Sequence, residues 1–393
     1  MIIFHHFGGI GGAGLSLIHI VKSIDKSKFD LVVVCPTVPN EMVGMLEDLS
    51  VTVEKTNNTP IIFNHYNGGI KHFFSPRTLV NLMGILFDIR KVKVILRKYN
   101  PDIVMLNSMT LFWIGIIMKK NSARKIMFHR ETYVRGIFGI RKKFIKWALN
   151  NFFNDIIYIS NYDLKDTKTS CKIKGNIQHR VIYDKVEVTN YSSLDKIQAR
   201  KNLGLEKNEE IKYILYLGGF SKLKGYKTIF KLLPHLKNDQ KILFIGRKPS
   251  YSIRTFYKLI KIKMIEKKFS NRILFINPSP EPEIFYKCSD LIIFPSTLPH
   301  QSRPIYEAGL AKIPILISDF KQTSEFIVHG KTGYTFNNKE IDELVSTVQY
   351  ILDQNNKEYI DNVIDTNYVN SMRNHNFNTL TNELNLVLKE ESI

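Results

Sequence analysis

Short apolar runs alternate with longer amphipathic segments from one end of the chain to the other, the pattern of βαβ units folded on parallel sheets. Two series of such runs are visible. The first predicts strands at Ile2–Phe7, Leu31–Cys35, Ile103–Leu106, Lys125–Phe128 and Ile156–Ile159. The second predicts them at Tyr213–Leu217, Lys241–Ile245, Ile273–Ile276, Leu291–Phe294 and Ile315–Ser318. Runs that are apolar at consecutive positions suit strands covered on both faces. Between the series, Asp184 to Asp195 is polar, supplies few core residues and reads as a linker. The expectation is an α/β chain of two doubly wound domains, residues 1–188 and 189–369. A polar helical tail follows over 370–393, either free or packed back on the first domain. The cleft between such domains is their default binding site.

Glycines and charged residues cluster where these strands end. After the first strand, Gly8-Gly9-Ile10-Gly11-Gly12-Ala13-Gly14 contains a G-x-G-x-x-G and leads into a helix expected over Leu15–Ile24. A dinucleotide site would also need an acid at the end of the second strand, but Val33-Val34-Cys35-Pro36-Thr37 has none. What remains is a loop whose N–H groups can meet a phosphate or sugar, or a tight turn without a ligand. The second series opens on Leu217-Gly218-Gly219-Phe220-Ser221-Lys222-Leu223-Lys224-Gly225, where Lys224 can neutralise a diphosphate unless it is one more solvated lysine. Farther on, Gln301-Ser302-Arg303-Pro304-Ile305-Tyr306-Glu307 carries one carboxylate into a helix between two apolar strands. Glu307 there can hold a ribose, or merely complement the helix dipole.

Composition narrows the classes of function. At 393 residues, 44% hydrophobic and 23% charged, the chain is that of a globular protein with room for two cores. Cys35, Cys171 and Cys288 lie far apart, lack metal-ligand spacing and are odd in number, which predicts a reducing compartment and no disulfide framework. The first residues read as a strand, not a signal peptide, and the longest apolar run, Leu111–Met118, falls far short of the ~20 residues a spanning helix needs. A net charge of +20 attracts anions of any kind, but no nucleic-acid motif accompanies it. Ile137 to Phe153 places Ile137, Ile140, Phe144, Trp147 and Ala148 at helical spacing with Arg141, Lys142, Lys143 and Lys146 between them. Such a helix either lies on an anionic membrane or packs on its own sheet.

Taken in order, Gly218 to Gly225, Pro295 to Ser318 and Gln322 to Gly333 resemble the ordered signatures of GT-B glycosyltransferases of family 4. The glycine loop, Ile159-Ser160-Asn161 and Val181-Ile182-Tyr183-Asp184 extend the likeness over nearly the whole chain. The resemblance implies two Rossmann-like domains facing across a cleft, a nucleotide-sugar on the second and an acceptor on the first. It also implies retaining transfer with no cofactor and no obligatory metal, in bacterial surface polysaccharide or lipopolysaccharide assembly. Glu307 then corresponds to the second glutamate of E-x7-E, which grips the donor ribose, and Lys224 to the lysine facing the diphosphate. The implied donor set is Gly218, Gly219, Lys224, Gly246, Ser302, Arg303, Pro304 and Glu307, with His129, Lys224, Arg303 and Glu307 catalytic. Gly11, Gly12, Arg130 and Glu131 fall on the acceptor side, where Arg130 and Glu131 could instead pair with each other.

Two departures stand out. Gly219 replaces a phosphate-binding arginine, and Pro299 replaces the first glutamate of E-x7-E. Arg303 or His300 could take over charge neutralisation, or Arg303 could simply brace its loop. The rival readings are a non-catalytic binding protein of the same fold, and a nucleotide-sugar epimerase or hydrolase. The location expected is the cytoplasm, with or without attachment to the inner face of the membrane.

Overall fold

A computed structural model describes residues 1–56, 76–131, 139–169, 177–187, 195–206, 208, 210–249, 256–279, 281–299 and 302–389, apart from the side chains of 76–87 and 141. The chain divides into two compact units, Met1–Lys185 with Phe377–Ile393, and Val186–Asn376.

The first unit is a seven-stranded parallel sheet: β1 (Ile2–Phe4), β2 (Val32–Pro36), β3 (Thr52–Thr56), β4 (Ile103–Leu106), β5 (Arg124–His129), β6 (Asp155–Tyr158) and β7 (Gln178–Val181). They lie in the order β3-β2-β1-β4-β5-β6-β7, so the winding reverses between β1 and β4. Successive residues serve opposite faces. Ile2 and Phe4 join one core with Ile95, Phe112 and Leu149, whereas Ile3 joins another with Leu17, Val43 and Leu384. Arg124 ties β5 to β6 by donating from Nε to Asp155 Oδ2 at 2.7 Å and from a terminal nitrogen to Oδ1 at 2.8 Å.

The second unit repeats the plan with six strands: β8 (Lys212–Tyr216), β9 (Gln240–Ile245), β10 (Ile273–Ile276), β11 (Leu291–Phe294), β12 (Ile315–Ser318) and β13 (Tyr334–Phe336). Their order is β10-β9-β8-β11-β12-β13, and the reversal falls between β8 and β11. Crevices at such reversals, beyond the carboxyl ends of the strands, are where open α/β sheets take ligands.

All ten expected strands are present, and the three additional ones, β3, β7 and β13, are sheet edges. Edge strands have one neighbour and tolerate polar residues such as Glu54, Lys55, His179 and Arg180, so they lack an apolar run. The first helix starts earlier than expected, at Gly12 and not Leu15, because the glycines themselves form its first turn. The helix Lys357–His375 runs through residue 370 and lies wholly in the second unit. Only from Phe377 does the chain rejoin the first unit, where Leu380, Leu384, Val387 and Leu388 enter its core. Among the described residues no helix is long and apolar enough to cross a membrane.

Candidate functional site

In the second unit the loops after β8 and β11 meet at the reversal. Thr297 N donates to Leu223 O at 2.8 Å, and Thr297 Oγ1 to Lys222 O at 3.1 Å. Glycine is needed at the junction. Gly225 has φ +78°, and a Cβ there would stand 1.7 Å from Pro295 O. Gly219, at φ +51°, and Gly246 lie back to back, since a Cβ on Gly246 would come within 2.3 Å of Gly219 Cα. A Cβ on Gly218 would collide with the Tyr216 hydroxyl at 1.9 Å. These glycines therefore bring three strand ends close together, which is a packing reason for the motif independent of any ligand.

Glu307 stands in the helix Pro304–Leu310, which opens at the proline, where a missing N–H costs nothing. Its carboxylate is buried and held on both oxygens. Arg303 Nε donates to Oε1 at 2.9 Å and Tyr286 Oη to Oε2 at 2.6 Å. Each charge-assisted bond is worth about 1.5–3 kcal/mol, and together they fix the rotamer of Glu307. Behind the helix, Gly309 lets Ser371 approach, with a Cβ-to-Oγ separation of 2.2 Å if alanine were placed there. Tyr306 stacks on His375 with ring centroids 4.1 Å apart.

Lys224, half-buried, is the second cation near this carboxylate. Burial lowers its pKa, and the opposing pull of Glu307 favours the charged form. Lys224 and Arg303 thus set two basic groups beside Glu307, with Glu283 close enough that the two carboxylates repel. Arg303 takes the bracing role, and Ser302 and Pro304 are buried at the helix start. His300 and Gln301 lie outside the described residues. Tyr286 is a residue that the motifs did not indicate, although a tyrosine in the apolar stretch before β11 needs a polar partner for its hydroxyl.

In the first unit the strand ends at the β1/β4 reversal carry a chain of polar contacts. Asn107, the residue after β4, donates from Nδ2 to Ala13 O at 3.1 Å and lies 3.1 Å from His5 Nδ1. Arg130 Nε donates to Asn107 Oδ1 at 2.7 Å, and its guanidinium also pairs with Asp184. Glu131 does not pair with Arg130. It accepts from Met109 N at 2.9 Å and from Ser108 Oγ, holding the turn after β4, and burial raises its pKa. Gly11 caps the first helix with open space around its α-carbon, and it and Gly12 are exposed. Gly8 and Gly14 instead answer to packing against Pro39 and Met42. Asn107 is the other residue the motifs missed; its signal is being the first polar residue after a buried strand.

Two expectations in this unit are corrected. His129, expected to face the cleft, is 0% exposed. It ends β5 on the face that carries Met127, its ring 5.1 Å from that of Tyr158, and burial drives its pKa down to about 3. The helix described over Ile140–Phe152 does not present its lysines to solvent as a set. Lys146 is buried against Asp166 at 3.5 Å, and Lys142 pairs with the same acid at 2.8 Å. Ile140, Phe144 and Trp147 are exposed instead, because the helix turns its Ile145-Ala148-Leu149 face to the core. Ile137 lies outside the described residues.

Residues 172–365 match the family described as glycosyl transferases group 1. The spore coat protein SA of Bacillus subtilis is 27% identical over 199 residues, covering 47% of this chain and 52% of that protein. The capsular polysaccharide biosynthesis glycosyltransferase CapH of Staphylococcus aureus is 26% identical over 255 residues, covering 61% of this chain and 65% of CapH. The matched stretch thus spans only between half and two thirds of these relatives. The Anabaena protein Alr3699/HepE, solved in complex with UDP, superposes with a TM-score of 0.77 over 98% of both chains at 16% identity. The group 1 match and this likeness agree with the expected GT-B fold, and Glu307 and Lys224 both lie within the matched residues.

Proposed function

We propose that this protein transfers a sugar, with retention, from a nucleotide-sugar to a saccharide or lipid-linked saccharide acceptor, in the cytoplasm, during cell-surface polysaccharide assembly. The second unit holds the donor and the first the acceptor. One observation carries the reading: Glu307 is locked by Arg303 and Tyr286 beside Lys224, at the reversal point of the second sheet. A carboxylate so fixed can accept from two ribose hydroxyls on its remaining lone pairs. Lys224 then meets the diphosphate and stabilises the charge that grows on it as the glycosidic bond breaks, without calling on a metal. The relationship to CapH supports polysaccharide assembly as the setting, and the recorded complexes of HepE with UDP and UDP-glucose support a uridine donor class.

Basic docking through Lys142 and Lys146 is not part of the proposal, since both are committed to Asp166. The test is nucleotide release from a set of nucleotide-sugars with and without saccharide acceptors, with the anomer of the product read by NMR. Acceptor-dependent release with the donor anomer kept is the expected result. Release without acceptor would make the protein a hydrolase or epimerase. Binding without release would make it the non-catalytic relative that Pro299 suggests.

A further inference from the structure

The helix Phe256–Lys268 of the second unit carries an apolar stripe on its outer side. Phe256 is 42% exposed, Tyr257 79%, Ile260 38% and Met264 65%. At 3.6 residues per turn Tyr257, Ile260 and Met264 project within an arc of about 60°, with Lys263 and Lys267 along one margin, where Phe256 also lies, and Lys261 and Lys268 along the other. All four lysines are exposed. The inward side is anchored by buried Ile262 and by Ile265, packed on the core. Lys258 also turns inward, donating to Phe220 O at 2.9 Å and lying 5.1 Å from the Tyr226 ring centroid. The one acid of the helix, Glu266, is bound by Lys248 at 2.9 Å, so the charge displayed outward is positive.

Isolated exposed apolar residues need no explanation, but an aligned stripe between two rows of lysines has one. We propose that this helix seats the protein on an anionic lipid surface, with Tyr257, Ile260 and Met264 entering the headgroup boundary. The lysines on both margins extend their aliphatic stems along the apolar region and place their ammonium groups among lipid phosphates. A convex ridge with the same charge on both sides complements a deformable anionic sheet. The arrangement also gives use to a charge of +20 that a donor site alone does not employ.

Flotation of the full chain with phosphatidylcholine vesicles, with and without phosphatidylglycerol, tests this. Wild type should float with the anionic vesicles only, and added salt should release it. Tyr257→Ser/Ile260→Ser/Met264→Ser and Lys263→Glu/Lys267→Glu should each bind at least about tenfold more weakly, since each basic residue at such a surface is worth roughly fivefold. All five positions are exposed, so unchanged thermal melting is expected and keeps the result interpretable. Absence of wild-type binding, equal binding to neutral vesicles, or retention by both variants overturns the proposal. So does loss only in Phe144→Ser/Trp147→Ser, which would move docking to the other unit, or a change in sedimentation instead of flotation, which would make the stripe a contact between copies. Flotation reads no sugar transfer, so failure here leaves the proposed reaction standing.

Discussion

Acidification should unsettle the first unit through His129. Burial holds its pKa at about 3, against roughly 6.5 in an unfolded chain. Below pH 6.5 the unfolded state takes up a proton that the folded state refuses, so stability falls with pH until about 3. From pH 7 to pH 5 this one group withdraws about 2 kcal/mol. His6 and His179, both lowered to about 4, act in the same direction, as does His5. Asp88, pushed up to about 6, and Glu131, also raised, act oppositely, because as pH falls their folded states gain protons before their unfolded states do. The readout is therefore the difference between wild type and His129→Gln, which cancels the shared groups. Urea denaturation followed by tryptophan fluorescence is selective, since the two tryptophans, Trp113 and Trp147, both belong to this unit. The variant should lose about 2 kcal/mol less than wild type between pH 7 and pH 5. An identical loss in the two proteins would refute the assignment of His129 to the core as a neutral ring.

Glu307→Gln should weaken donor binding by about 1–3 kcal/mol, and Tyr286→Phe by about tenfold in Kd, both measured by titration calorimetry on folded protein. Unchanged affinity in the tyrosine variant would leave its 2.6 Å bond without a role in the site. Lys224→Ala should lower kcat by ~10²-fold with a smaller effect on KM, and EDTA should leave wild-type turnover intact. Rescue of EDTA-treated enzyme by magnesium would reassign the diphosphate to a metal. Gly225→Ala should cost at least about 2 kcal/mol in thermal unfolding, combining a left-handed backbone with a collision at Pro295. A melting temperature equal to wild type would mean that the loop relaxes.

Legibility in the sequence followed burial. Strands covered on both faces, such as Ile103–Leu106 and Leu291–Phe294, announce themselves as apolar runs with matching bounds. Gln178–Val181, with a single neighbour, could not. Glu307 and Lys224 were visible because chemistry at strand ends follows from sheet topology. Tyr286 was not, because its partner is 21 residues away and only the packing of two helices joins them. Lys146 misled because periodicity identifies an amphipathic face but not which side meets solvent. An acid on a neighbouring helix, Asp166, repaid the burial of a lysine and turned the aromatic side outward.

The split of the first unit between Met1–Lys185 and Phe377–Ile393 gives the two units different histories during synthesis. Val186–Asn376 is one uninterrupted stretch, closed on itself where Val186 N donates to His375 O at 2.8 Å. It can complete its core without any segment that follows residue 376. The earlier-made unit cannot, for the place of Leu384 and Val387 between its helices stays open until the helix Leu380–Lys389 emerges. The first unit is therefore closed only by a segment that lies beyond the whole of the second unit in the chain, and until that segment reaches it an apolar seam stays open.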